Sequence, residues 1–497
     1  MMPDHPLEPG VPQAGWRARM HGLVRSFIPS RQGAVNNQSD PRHTAAPTRP
    51  EQLLSPAPSG HGAARLLTPG EAFTPTRPKA GRRRLIGRRA ELLRILQILQ
   101  EDRAHVVLYA ERGRGKTSLA NLVTEVLRRS GTLVARHTCD AGTTYDDLMR
   151  SLMRDLPPSL LIAPVTSHDA QAAPVANDVG CGAALPAGRL RPADILALPH
   201  RLNCKSLVCV IDEFDRVLDP ETRIRLADTI KQLSDRGVPL LFMIVGVSDT
   251  LEQILGQHPS IQRSVIGVHL PLFSEQEVRQ LVIEGAHEAG LEFPPAAVAC
   301  VLWVARGMPY MAQLLALRLA QAAAGRGDGT ITEADFEEAV FRLTANAPAH
   351  VATLYAALTR HERDTEMMAA LRQIASAPQD LWGRLRVTQA SDGSVAVAAC
   401  RISPAIWQRL QAAQVLLEPN AGSDLFVFAE RGLMHHVLLL TAGEIVQDFL
   451  VREKPPADNF RTASSPHAVP GSLSRTALQA SQDILASLEQ NMTGEAR

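Results

Sequence analysis

The chain has 497 residues, enough for two or three domains, and its 45% hydrophobic content is that of globular protein with a sizeable core. The net charge of +1 gives no global attraction to nucleic acid or to an acidic partner, and the six cysteines form no Cys-x-x-Cys pair, which speaks against a zinc site or a disulfide framework. No run approaches the roughly 18 apolar residues of a membrane span, and the opening Met-Met-Pro-Asp-His-Pro has no apolar signal region; the expectation is a soluble, cytoplasmic protein with reduced thiols.

Residues 1–80 are rich in Pro, Arg, Ser, Gly and Ala without hydrophobic periodicity and are expected to be a disordered tail, ending in the basic cluster Lys79 to Arg84. From Gly87 to Gln100 the apolar positions predict a helix. Strand Val106–Tyr109, a helix to Arg129, strand Leu133–His137 and helix Tyr145–Leu156 follow. Residues 157–190 are Ala-, Pro- and Gly-rich and read as an insertion on the surface. Helix Pro192–Leu202, strand Leu207–Ile211, helix Pro220–Arg236, strand Pro239–Val247 and strand Val265–Leu270 complete an alternating pattern, which means a parallel sheet with helices on both faces. Residues 81–273 are therefore the expected core, and 274–347 a helical lid broken at Gly307-Met308-Pro309. Over 348–452, helices, a polar stretch, helix Pro404–Ala413 and a hairpin of Val415–Leu417 with Leu425–Phe428 give the order of a winged-helix-like domain. Residues 453–497 are expected to be a second disordered tail. The predicted fold class is α/β: a P-loop parallel sheet flanked by helices, a helical lid and a C-terminal winged-helix-like domain.

The strongest chemical signal is Ala110-Glu111-Arg112-Gly113-Arg114-Gly115-Lys116-Thr117-Ser118, directly after the apolar run that ends at Tyr109. Strand, glycine-rich turn and helix start make a phosphate-binding P-loop, in which successive N–H groups and the helix N-terminus cradle an anion. Lys116 is positioned for the β- and γ-phosphates and Thr117 for Mg²⁺, with Arg112, Gly113, Arg114, Gly115 and Ser118 forming the rest of the cradle. Ala110 stands where the strict pattern has glycine, which requires a negative φ there. The buried run Leu207 to Ile211 ends in Asp212-Glu213; Asp212 suits Mg²⁺ ligation and Glu213 is the candidate general base for an attacking water. No guanine-specific Asn-Lys-x-Asp run occurs, which favours ATP over GTP.

With these motifs placed, residues from about Leu85 to Ala347 resemble an AAA+ or STAND-type ATPase, nearest the bacterial and archaeal branch that is similar to origin-recognition initiators. The resemblance implies that Ile86-Gly87-Arg88-Arg89 borders the adenine and that Ser248 is the polar sensor of the γ-phosphate or lytic water. It implies that Arg263 is an arginine finger and that Arg306-Gly307-Met308-Pro309 starts a nucleotide-facing lid helix. Tyr310 stands where initiators carry a sensor arginine, which makes Arg306 the substitute candidate. Three functions fit these features: a self-associating or conformational ATPase switch using ATP and Mg²⁺, a nucleotide-gated module for double-stranded DNA, and a scaffold that grips a protein partner. The hairpin turn, Glu418 to Asp424, carries two acids and no base, an unfavourable charge for phosphate contact.

Overall fold

The computed structural model describes residues 66–75, 86–162, 180–248, 263–327, 329–359, 365–398, 400–419 and 422–451. The basic cluster at Lys79 to Arg84, the middle of the insertion and the C-terminal tail lie outside these residues.

Five strands form the central sheet: β1 His105–Ala110, β2 Leu133–Thr138, β3 Leu207–Asp212, β4 Leu240–Val247 and β5 Val265–His269. Their order is β2-β3-β4-β1-β5 and every pairing is parallel. Parallel strands covered on both faces are read in sequence as continuous apolar runs, and β3 is buried along its whole length. One face packs the helices Tyr145–Arg154 and Pro220–Asp235; the other packs Arg89–Gln97 and Lys116–Arg129. His105 is buried at the start of β1, where its Nδ1 accepts from Phe242 N at 2.9 Å, so the ring is neutral; burial lowers its pKa to about 4.

Several elements depart from expectation. The first helix ends at Gln97 and continues as a π-turn over Ile98–Asp102. The helix expected over 192–202 is two short ones, Pro192–Leu196 and Leu198–Arg201. The insertion is not all surface, because Cys181, Leu185 and Leu190 are buried in the core beside Tyr145–Arg154. Apolar residues spaced by Gly and Pro lack a period, so composition concealed their burial. The N-terminal tail likewise has an ordered part: Pro69–Ala72 is a short helix and Phe73 is fully buried.

The lid is four helices, Glu275–Ala289, Pro295–Ala305, Pro309–Arg326 and Glu333–Ala345. Ser274 opens it with a capping box: Ser274 Oγ accepts from Glu277 N while Glu277 Oε2 accepts from Ser274 N at 2.7 Å. Beyond it, helices Ala349–Leu358 and Thr365–Ser376 lead into a second, antiparallel sheet. Its strands are β6 Leu385–Gln389, β7 Val395–Val397, β8 Cys400–Ile402, β9 Leu416–Leu417 and β10 Leu425–Phe428, ordered β8-β7-β6-β10-β9. The first three occupy the stretch read as merely polar. They are short and half solvated, alternating buried Leu385 and Val387 with exposed Arg386 and Thr388, so few apolar residues mark them. The final helix, Arg431–Val451, packs against lid helices Pro295–Ala305 and Glu333–Ala345.

Candidate nucleotide-binding site

β1 ends in extended Ala110, which meets the requirement set by its missing glycine. Gly113 and Gly115 then take φ of +87° and +90°, values that a side chain would strain, and Gly115 starts the helix Lys116–Arg129. The turn leaves the helix N-terminus facing a cavity of 380 Å³. Its lining combines polar Lys116, Thr117, Asp212 and Asp215 from the P-loop and the end of β3 with apolar Pro75, Ile86, Phe273, Leu281 and Pro309 from the N-terminal segment and the lid. A phosphate chain and a planar base call for these two kinds of lining.

Lys116 is buried and folds back on the loop, its Nζ donating to Ala110 O and Glu111 O at 2.8 Å each. Burial pulls its pKa down to about 8, against the attraction of Asp215 and Asp212. Thr117 Oγ1 lies 3.5 Å from Asp212 Oδ1, and Asp212 is buried. This pairing of a hydroxyl with a buried carboxylate fits Mg²⁺, which prefers oxygen ligands and retains several waters. Asp212 Oδ2 also accepts from Arg136 Nη2 at 2.8 Å. Glu213 has φ of +54°, and its Oε2 accepts from Arg216 Nη1 at 2.8 Å. Asp215 Oδ1 accepts from Val247 N at 2.8 Å, tying the ends of β3 and β4 together.

The other sequence-predicted residues are scattered more widely. Exposed Arg112, half-buried Ser118 and buried Pro309 line the cavity. Arg114 borders it with its backbone, but its guanidinium turns away and is fully buried. Nη1 donates to Leu270 O at 2.9 Å, Nη2 to Trp382 O at 2.8 Å, and the group pairs with Glu111. Gly87, at φ +66°, sits where a Cβ would come 2.9 Å from the Glu277 side chain; Ile86 and Arg88 on either side of it line the cavity. Arg88 Nη2 donates to Arg114 O at 3.0 Å and Pro271 O at 2.9 Å, bracing the P-loop from below, and burial lowers its pKa to about 10.

Ser248 is buried just past β4, beside the end of β1, with its N–H toward Ala110 O at 3.4 Å. The residues after it are outside those described. Arg263 is exposed and precedes β5, whose first residue pairs with His105 at the start of β1. It therefore stands at the end of the sheet opposite its own P-loop. Arg306 does not approach the cavity. It is half-buried, with Nη2 donating to Ala377 O at 2.6 Å and also to Ser376 O, so it fastens the lid to the C-terminal region rather than standing in for a sensor.

Sequence reasoning passed over Glu111, Arg136, Asp215, Arg216 and Gln313. Glu111, inside the P-loop run, and Asp215 and Arg216, within three residues of Glu213, carry a local signal. Arg136 and Gln313 meet the site through tertiary packing alone.

The AAA ATPase domain family matches residues 84–244. Residues 84–244 are therefore similar to an AAA ATPase domain, and the similar stretch spans both the P-loop and Asp212-Glu213 within the parallel α/β sheet. Among solved structures, the chain is similar to the Thermotoga maritima RuvB Holliday junction branch migration motor, at 14% identity over 70% of this chain and 94% of that one, TM-score 0.38. It is similar to the Aeropyrum pernix ORC2 protein in its ADPNP-ADP complexes, at 16% identity over 78% of this chain and 100% of that one, TM-score 0.43. A third is Cdc6p from Pyrobaculum aerophilum, at 13% identity over 77% of this chain and 99% of that one, TM-score 0.40. No curated protein matches the sequence. Likeness at this level carries no argument about partners or chemistry, which rest on the chain's own residues.

Proposed function

We propose that this chain is an ATP-hydrolysing switch whose P-loop and C-terminal domain sense each other directly. The observation that carries the reading is Glu111. This P-loop residue accepts from Arg114 of the same loop and pairs with Arg431 at the start of the last helix. Arg431 in turn donates to Gly383 O at 3.2 Å, and Arg114 to Trp382 O. Trp382 stacks on His269 of β5 with ring centroids 4.5 Å apart. A phosphate drawn into the loop competes for Lys116, moves the carbonyls of Ala110 and Glu111, and so strains an ion pair between half-buried Glu111 and buried Arg431, whose far partner belongs to another domain.

In the proposed chemistry Mg²⁺ sits with Thr117 and Asp212, and Glu213 accepts the proton of the attacking water once released from Arg216. Arg263 completes the site of a neighbouring copy, which makes self-association part of the reading. Ser248 senses the phosphate end. Among the described residues no helix is long and apolar enough to cross a membrane, in keeping with a cytoplasmic ATPase. The double-stranded DNA alternative is the weaker one. Arg384, Arg386 and Arg401 of the second sheet each sit beside an aspartate, Asp380, Asp424 and Asp392. That arrangement offers phosphates little uncommitted charge and suits a protein-facing or inward-facing C-terminal domain.

The test is phosphate release from ATP by the full chain and by Arg431→Met, which keeps the packing and removes the cation. Wild type should hydrolyse ATP slowly, and Arg431→Met should do so several-fold faster with ATP affinity within about tenfold of wild type. Identical turnover in the two would remove the coupling, and no turnover in either would remove the enzyme.

A further inference from the structure

Part of the cavity's lining comes from a segment that lies outside the ATPase domain match. Residues 66–75 run along the lid, with Leu67 N donating to Glu288 O at 2.9 Å. Phe73 is fully buried, and its ring occupies the space a side chain at Gly285 would need, a Cβ there lying 2.3 Å from the ring. So anchored, the strap delivers Thr74 and Pro75 to the cavity, opposite Pro309, Tyr310 and Gln313 of the lid helix.

Thr74 N donates to Gln313 Oε1 at 2.9 Å. A backbone N–H can only donate, so this contact fixes which way the carboxamide faces: oxygen to the strap, amino group away from it. Among the described residues, no hydrogen bond engages Gln313 Nε2, and Oε1 keeps a second lone pair.

Resting on the reading of this cavity as an ATP site, we infer that Gln313 is the base-selecting residue and that the 66–75 strap sets its selectivity. A carboxamide in one orientation donates to a ring nitrogen of adenine and accepts from the exocyclic amine, the pairing by which glutamine reads adenine elsewhere. Guanine presents O6 where adenine presents its amine, which sets two acceptors face to face. An amide free to turn over would accept guanine as readily, donating to O6 and accepting from N1–H. The Thr74 N–H prevents that turn. Selectivity therefore comes from a segment that no phosphate-binding motif contains.

The experiment is titration of the full chain with ATP, GTP and inorganic triphosphate, the last reporting the phosphate end alone. Wild type should prefer ATP to GTP by about tenfold or more. Gln313→Met should bring ATP and GTP to one affinity and leave triphosphate unchanged. Phe73→Ala, which loosens the strap, should raise GTP affinity toward that for ATP. An ATP:GTP ratio unchanged in Gln313→Met overturns the assignment. If that variant loses triphosphate binding, and so its fold, Gln313→Asn decides instead, because its shorter amide cannot keep the Thr74 contact; an unchanged ratio there overturns the inference equally. Wild type that binds neither ATP nor triphosphate overturns both this inference and the nucleotide site beneath it, whereas failure of the inference alone leaves triphosphate binding intact.

Discussion

Replacement of Lys116 by alanine is expected to abolish ATP binding at micromolar protein, a loss of at least about a hundredfold in affinity. The side chain is buried at the head of the P-loop helix and bonded to two carbonyls of the loop, so it is already held where the phosphates arrive. Alanine removes the fixed charge without disturbing the glycine turn. The same residue predicts a pH dependence. Burial lowers its pKa from 10.5 to about 8, and bound phosphate requires the ammonium form. Below about pH 8 the proton is already present and Lys116 adds no pH dependence. Above it the empty site must take up a proton to bind, so ATP affinity falls as pH rises, by up to about tenfold per unit. Calorimetric titration between about pH 7 and 10 checks this. Flat affinity over that range, or Lys116→Ala binding like wild type, would separate Lys116 from the phosphates.

Glu213→Gln is expected to retain ATP and to hydrolyse it about 10²- to 10⁴-fold more slowly, since an amide cannot take the proton of water. In the resting arrangement Glu213 is paired with Arg216, and both line the cavity. The amide keeps a hydrogen bond to the guanidinium, so folding and nucleotide binding are spared. Single-turnover phosphate release with saturating ATP measures the effect. Near-normal turnover would mean that another group, such as Asp215 in the cavity lining, is the base.

The sheet and the phosphate end of the site were legible in the sequence because each rests on a local pattern. Central parallel strands are continuous apolar runs, as at Leu207–Asp212, and the P-loop packs its glycines and Lys116-Thr117 into a few residues. The two carboxylates follow at a strand end. What escaped was non-local or aperiodic. Leu385–Gln389 and its neighbours are strands too short for alternation to register. Cys181 and Leu190 are core residues in a segment whose composition reads as surface. Phe73 stands in a stretch of the tail without hydrophobic periodicity, and it is buried where Gly285, more than two hundred residues later, leaves it room. Arg114 borders the cavity with its backbone, as its place in the P-loop implies, while its guanidinium bonds Glu111 and carbonyls from Leu270 and Trp382. Arg306 likewise lies beside the lid motif in sequence but binds the carbonyl of Ala377. A side chain's direction depends on partners that motif spacing does not encode.

The central claim, that nucleotide state is transmitted from Glu111 to Arg431, is tested most directly by amide hydrogen exchange on full-length Glu213→Gln held with ATP or with ADP. The segments to follow are residues 379–383 and 431–442, which carry the contact on the C-terminal side. Both segments should exchange faster with ATP than with ADP, while the β6–β10 sheet is unchanged. Equal exchange in the two nucleotide states, with ATP shown to be bound, would contradict it.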